Sequence, residues 1–266
     1  MRLHYTDMRV TVLASGSKGN CIYIEGESGA LLVDAGLSGR QIRTRLLACG
    51  GREDFIRAIL VTHEHTDHIR GVDTLARHLD VPVMATEGTL HDFLNNRRAS
   101  VKPIRHSACS SGMTYSVSDF SVTPFSVFHD AAEPCGFLIR EGDSVLGCCT
   151  DTGCVSEQML SCLKKCDALV LESNHCPLML ENGPYPAFLK RRIRDAKRGH
   201  LSNTASAACL GRLADTMHTA VLAHLSEVNN TPERAQTSAV RGLGLYAGSI
   251  GLHVAGQHEV SETIVL

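Results

Sequence analysis

A chain that places Thr62-His63-Glu64-His65-Thr66-Asp67-His68 directly after Ala58-Ile59-Leu60-Val61 has few folds open to it. The apolar run is β-branched and carries no helix signal, so it reads as a buried strand. Three imidazoles and two carboxylates then fall within six residues. Imidazole nitrogen and carboxylate oxygen are the ligand set of Zn, Mn, Fe and Ni. In the His63-x-His65 pair both rings can converge from a loop held by the strand. Asp67 and His68 follow where a turn into a helix could aim them at a second ion nearby. A histidine-rich surface loop is the alternative, and the buried strand feeding the cluster argues against it.

The same event recurs along the chain. Apolar runs at 30–33, 58–61, 145–149, 168–171 and 220–223 and an alternating stretch at 118–128 read as strands, and they release Asp34, the His63 cluster, Asp151, Glu172, His224 and His129 at or near their C-terminal ends. Polar groups gathered at one edge of a sheet form a site. Strands at 10–14 and 21–24 form a hairpin, and 136–139 pairs with 145–149 across Glu141-Gly142-Asp143. The 118–128 run contains Pro124 and is expected at an edge or a bulge. Helices are expected from Ser38, with Ile42, Leu46 and Leu47 on one face, over 71–79, 87–95, 155–166 and 184–198, from a cap at Ser202 or Asn203 to Leu213, and from Thr231. Closing strands fall at 250–254 and 264–265. With no Pro/Ser-rich linker, residues 1–266 read as one α/β domain.

The pattern His63-x-His65-x-Asp67-His68 resembles the signature of the metallo-β-lactamase superfamily. That resemblance implies an αββα four-layer sandwich, two mixed sheets flanked by helices, with a two-metal hydrolytic site. It further implies that His63, His65 and His129 hold one divalent ion, that Asp67, His68 and His224 hold the other, and that Asp151 bridges them. A hydroxide held between ions roughly 3.5–4 Å apart would be the nucleophile. The donor set leaves Zn, Mn and Fe open.

Leu171-Glu172-Ser173-Asn174-His175, Gly199-His200-Leu201-Ser202-Asn203 and His224-Leu225-Ser226-Glu227-Val228-Asn229-Asn230 resemble, in that order, the YycJ/WalJ family, as do 14–20 and Asn182-Gly183-Pro184-Tyr185-Pro186. The likeness implies a nuclease linked to 5′-to-3′ exonuclease action on DNA. In the tRNA-processing relatives a Glu and a His relay a proton to the leaving oxygen, and Glu172 and His200 hold the matching positions. Asp67 would orient or deprotonate the attacking water. Two alternatives stand beside this reading: a small-molecule hydrolase acting on a thioester or lactone, and a metal-loaded binding protein without activity.

A net charge of -2 and a pI near 6.7 exclude nucleic-acid binding by bulk electrostatics, so basic surface must be local. Lys190, Arg191, Arg194 and Arg198 fall near one face of the 184–198 helix, with Arg192 and Lys197 beside it, and Arg97, Arg98, Lys102 and Arg105 form a second basic stretch. The candidate substrate contacts are Ser17, Asn20, Lys190, Arg191, Arg194 and Arg198. The 15–20 loop reads as a plain turn before it reads as a phosphate cradle. With no Trp and 5% aromatics, an extensive base-stacking platform is not expected, which points to sequence-independent contact with the DNA backbone. No apolar run approaches the ~20 residues of a membrane span, and the N-terminus lacks a signal-peptide core, so the chain is expected in the cytoplasm. Its eleven cysteines then read as reduced thiols, and none occupies an expected ligand position. His175 has no role derivable from its neighbours, and the oligomeric state is open.

Overall fold

The computed structural model describes residues 7–97 and 102–266; Arg98 of the second basic stretch lies outside them. The first half contributes strands β1 (Arg9–Ala14), β2 (Cys21–Glu25), β3 (Ala30–Val33), β4 (Ile56–Leu60), β5 (Val83–Thr86) and β6 (His106–Cys109), with helices α1 (Gly39–Ala48), α2 (Thr66–Ile69), α3 (Val72–Leu79) and α4 (Glu87–Asn95) between them. The second half contributes β7 (Tyr115–Val117), β8 (Phe120–Ser126), β9 (Cys135–Glu141), β10 (Ser144–Cys149), β11 (Ala168–Glu172), β12 (Thr219–Ala223) and β13 (Gly251–Val254), with α5 (Glu157–Leu163), α6 (Pro177–Asn182), α7 (Ala187–Ile193), α8 (Asn203–Leu213) and α9 (Pro232–Leu243). A last strand, β14 (Ile264–Val265), returns to pair with β1.

These strands make two seven-stranded mixed sheets, ordered β14-β1-β2-β3-β4-β5-β6 and β13-β12-β11-β10-β9-β8-β7. Pairing is antiparallel from β14 to β3 and parallel from β3 to β6. In the other sheet it is antiparallel from β7 to β10 and parallel from β10 to β13. Strand alternation explains the layers. Ala58 and Leu60 of β4 face the other sheet, while Ile59 faces helices α1, α3 and α4. In β11, Ala168 and Val170 point between the sheets and Leu169 and Leu171 point at α5, α8 and α9. Strands covered on both faces must be apolar throughout, which is why these runs show no polar alternation. The result is the expected αββα sandwich. No helix among the described residues is long and apolar enough to cross a membrane.

Several elements depart from expectation for local reasons. Leu47 is 78% exposed, because one residue turns about 100° from Leu46 and leaves the buried stripe of α1. The 155–166 helix shortens to α5, capped by the Ser156 side chain on the Met159 N–H. The 184–198 helix is only α7, with Pro186 at its N-cap; Pro184 and Pro186 disfavour helical conformation in the residues before them. Past Ile193 the Asp195 carboxylate takes the N–H groups of Lys197 and Arg198, making a turn that leaves Arg194 and Arg198 outside the helix. The strand around Pro124 is not an edge, since the three-residue β7 pairs outside it. Pro124 lies past the end of β7, where its carbonyl accepts from the Gly112 N–H.

Candidate metal centre

The strand ends converge. β3 and β4 are parallel neighbours, and the Asp34 carboxylate at the end of one accepts from the Thr62 N–H (2.9 Å) and hydroxyl (2.9 Å) at the end of the other. His63 follows Thr62 and is buried. His65 caps the single turn of α2, which swings Asp67 and His68 toward the sheet edge. That turn is pressed against Gly36, where an added Cβ would sit 1.5 Å from the Asp67 carbonyl oxygen, so only glycine fits. Asp34, Asp151 and His224 all take left-handed backbone, with φ of 60, 54 and 56°. Non-glycine residues adopt it at a cost, and here it turns three side chains off strand ends toward one point.

Two groups of donors result. His63, His65 and His129 form one, with His63 Nε2 3.1 Å from His65 Nδ1. Asp67, His68 and His224 form the other, with Asp67 Oδ2 3.6 Å from His68 Nε2 and 3.8 Å from His224 Nε2. Asp151 lies between them: Oδ2 is 3.2 Å from His68 Nε2, and Oδ1 is 3.8 Å from His129 Nε2. Outer partners orient the rings. His68 Nδ1 lies 2.7 Å from Asp34 Oδ2, and His129 Nδ1 donates to the Gly199 carbonyl at 3.1 Å, which turns both Nε2 atoms inward.

Burial holds the His63 and His129 rings below the usual imidazole range, hence neutral and able to donate a lone pair. Burial would do the same to His224, but the Asp151 charge, the nearby Asp67 carboxylate and the 3.0 Å hydrogen bond from Nδ1 to Glu172 push it up to about 10. Burial would raise Asp151, yet the His224 and His68 charges hold it well below the carboxylate range. The carboxylates thus demand positive charge in this place. Asp151 Oδ2 and His224 Nε2 are buried without a hydrogen-bond partner. Such orphaned atoms are costly unless something satisfies them. A divalent cation would answer both needs, and the nitrogen and oxygen donors fit one.

Beside the cluster, Glu172 ends β11 fully buried. Its Oε2 accepts from the Thr152 N–H (2.8 Å) and the Leu201 N–H (3.1 Å), and Oε1 lies 2.7 Å from His200 Nδ1. Burial would raise this carboxyl, but the His200 charge and hydrogen bond pull it down to about 2. Burial likewise works against the His200 imidazolium, and Glu172 more than compensates, raising its pKa. With Nδ1 on Glu172, the Nε2 edge of His200 is left for a cavity of ≈ 240 Å³ that it lines with His65, Asp67, His129, Asp151 and His224.

The candidate substrate contacts divide. Ser17 and Arg198 line this cavity. Asn20 does not: it is buried, its amide nitrogen 3.0 Å from His68 Nε2 and 3.4 Å from Asp67 Oδ2, so it supports the cluster instead. Lys190 donates to the Glu181 carbonyl, Arg194 pairs with the Glu181 carboxylate, and Arg191 stands on the surface. In the second basic stretch Arg97 pairs with Asp73 and Arg105 with Asp80, and neither lines the cavity. Asn174, Tyr185, Arg192 and Ser226 do line it, and sequence reasoning does not single them out as contacts. The Asn182-to-Pro186 motif is the one signal pointing toward Tyr185.

A family model described as the Beta-lactamase superfamily domain matches residues 30–225. The exodeoxyribonuclease YycJ of Bacillus anthracis is 39% identical over 213 residues, covering 79% of this chain and 77% of that one. The exodeoxyribonuclease WalJ of Streptococcus pneumoniae is 37% identical over 205 residues, covering 77% and 76%. Among solved structures, Zn(2+)-bound PqqB from Methylobacterium extorquens superposes with a TM-score of 0.71 over 96% of this chain and 99% of its own, at 22% identity, a likeness of fold.

Proposed function

The chain belongs to the metallo-β-lactamase superfamily and, within it, to the YycJ/WalJ family, and from that premise we propose that it is a two-metal phosphodiesterase degrading DNA from the 5′ end. It is a metal-dependent hydrolase; the substrate and the mechanism are the proposal. His63, His65 and His129 would hold one divalent ion, Asp67, His68 and His224 the other, and Asp151 both. When bound, such cations lower the pKa of a water and offset the charge that grows on the phosphoryl oxygens.

The observation that carries the reading is the 2.7 Å Glu172–His200 pair at the cavity wall. A thiolate leaves a thioester without help, whereas the alkoxide of a phosphodiester leaves poorly unless protonated. An imidazolium kept charged by a buried carboxylate supplies that proton. His200 gives it from Nε2 to the leaving oxygen, and Glu172 stabilises the charged form beforehand. Asp67, part-exposed in the cavity, orients the attacking water and accepts its proton. Arg198 and Ser17 on the wall bind phosphate oxygens without reading bases.

The test is digestion of end-labelled DNA and RNA by protein reconstituted with Mn, Zn, Fe or Mg. The expected product is mononucleotide released from the 5′ end of DNA. His200→Ala should keep the parental metal content and cut more slowly by about 10²–10⁴-fold. Cleavage at the parental rate would remove His200 as the acid, and faster turnover of a thioester than of DNA would replace the substrate.

A further inference from the structure

The chain is poor in aromatics, yet one of its few phenylalanines stands in the open beside the cavity. Phe188 on α7 is 67% exposed. Tyr185, Leu189, Arg192 and Ile193 line the cavity, so α7 is one of its walls. Residues three and four apart are neighbours on a helix surface, which puts Phe188 against Arg191 and Arg192; Tyr185 precedes the helix, just before its N-cap Pro186. The helix is anchored there: Arg192 Nε and Nη2 reach Asp130 Oδ2 at 2.9 and 2.5 Å, next to the metal-group residue His129.

Charge sorts the cations of this segment. Residues 187–198 carry six Lys or Arg against the single acid Asp195. Arg192 and Arg194 are consumed by Asp130 and Glu181. Arg191 and Arg198 have no acidic partner among the described residues. An exposed aromatic ring one helical turn from the free Arg191 guanidinium, on the helix that walls a phosphodiesterase cavity lined by Arg198, complements a ligand that alternates flat apolar faces with anions. A single polynucleotide strand does so; a duplex buries its base faces and offers only phosphate.

Resting on the phosphodiesterase reading above, we propose that α7 is the landing surface for single-stranded DNA, one base stacking on Phe188 while neighbouring phosphates engage Arg191 and Arg198, so that the strand end passes Tyr185 into the cavity. The surface selects strandedness, not sequence, because every base has a face to stack.

The experiment compares parental, Phe188→Ala and Phe188→Trp proteins, all metal-loaded. Binding is read by fluorescence anisotropy on a phosphorothioate oligodeoxynucleotide, single-stranded, duplex, or single-stranded with abasic sites near the 5′ end; turnover is read on the unmodified strand. Phe188→Ala should weaken single-strand binding and raise KM by about 5- to 150-fold, with kcat within about two-fold. Phe188→Trp should restore both. Duplex and abasic strands should bind parental and Phe188→Ala proteins alike. Equal single-strand affinity in parental and Phe188→Ala proteins overturns the proposal. So does a change from dimer to monomer on sedimentation with DNA affinity intact, which would give Phe188 and the exposed Leu178 to a second copy of the chain. Because binding is measured apart from turnover, a parental protein that cleaves no DNA counts against the phosphodiesterase reading, while the anisotropy still decides the role of α7.

Discussion

Asp34 does not line the cavity, yet the substitution Asp34→Asn should cost metal. Its side chain is buried: one oxygen takes the Thr62 N–H at 2.9 Å, and the other lies 2.7 Å from His68 Nδ1. A carboxylate is only an acceptor, so His68 carries a proton on Nδ1, and a cation binding at Nε2 would displace the second proton and take the lone pair that faces Asp67 and Asp151. The amide would keep the shape, and asparagine tolerates the φ of 60°. If the amide carbonyl stays on the two Thr62 donors, its NH₂ meets His68 Nδ1, which must then accept. The proton moves to Nε2, where a cation would bind. Loss of such an outer partner costs about 10–100-fold in metal affinity, or about 1.4–2.7 kcal/mol. If the amide flips instead, buried donors face donors at Thr62, at about 1–3 kcal/mol of folding stability for each. Chelator competition with metal counting, alongside thermal melting, reads both routes. The expectation is weaker binding at the Asp67–His68–His224 group with the His63–His65–His129 group retained. Unchanged affinity together with an unchanged Tm would refute the reasoning.

Two further substitutions probe what holds the acid and its partner in place. Asn203 and Asn230 exchange amide hydrogen bonds of 2.8 Å each way, and Asn230 also donates to the Ser173 carbonyl at 2.7 Å, tying together the loops that carry Glu172, His200 and His224. Asn230→Ala should lose about 2–4 kcal/mol in urea denaturation and lower kcat more than it raises KM; a loss under about 1 kcal/mol would show that the pair carries little. His175 is buried with Nδ1 unpartnered, and burial depresses its pKa to about 4. The unfolded chain takes up a proton as pH falls through about 6.5 and the folded chain does not, so stability is lost between about pH 6.5 and 4. In metal-free protein His175→Phe should remove about 2 kcal/mol of the parental loss between pH 7 and 5, measured by urea midpoints; parallel pH profiles would contradict it.

Much of the site is legible in the amino-acid order, and the reason is chemical. A buried strand announces itself by an unbroken apolar run, and an acid or imidazole at its end has few bland explanations. Asp34, His63, Asp151, Glu172 and His224 are each located in that way, and His129 by the alternating 118–128 stretch before it. What stays hidden is of other kinds. The strand β7 is three residues long, too short for a period to register. The 184–198 segment has the composition of a helix, and its prolines and the Asp195 turn outweigh that composition. Asn20 in a Gly/Ser loop resembles a ligand contact until His68 and Asp67 are found against it.

The order of residues alone determined the donor inventory and the buried strands of an α/β domain, because ligand chemistry and strand burial are written in neighbouring residues. Only the folded chain decided which charges are free. Arg192 meets Asp130 from 62 positions away and Arg194 meets Glu181 from 13, so a run of like charges in the sequence becomes two paired latches, while Arg191 beside Phe188 and Arg198 at the cavity have no acidic partner among the described residues. Pairing of that kind depends on distance in space, which falls off steeply for screened charges and has no counterpart in the spacing of letters along a chain.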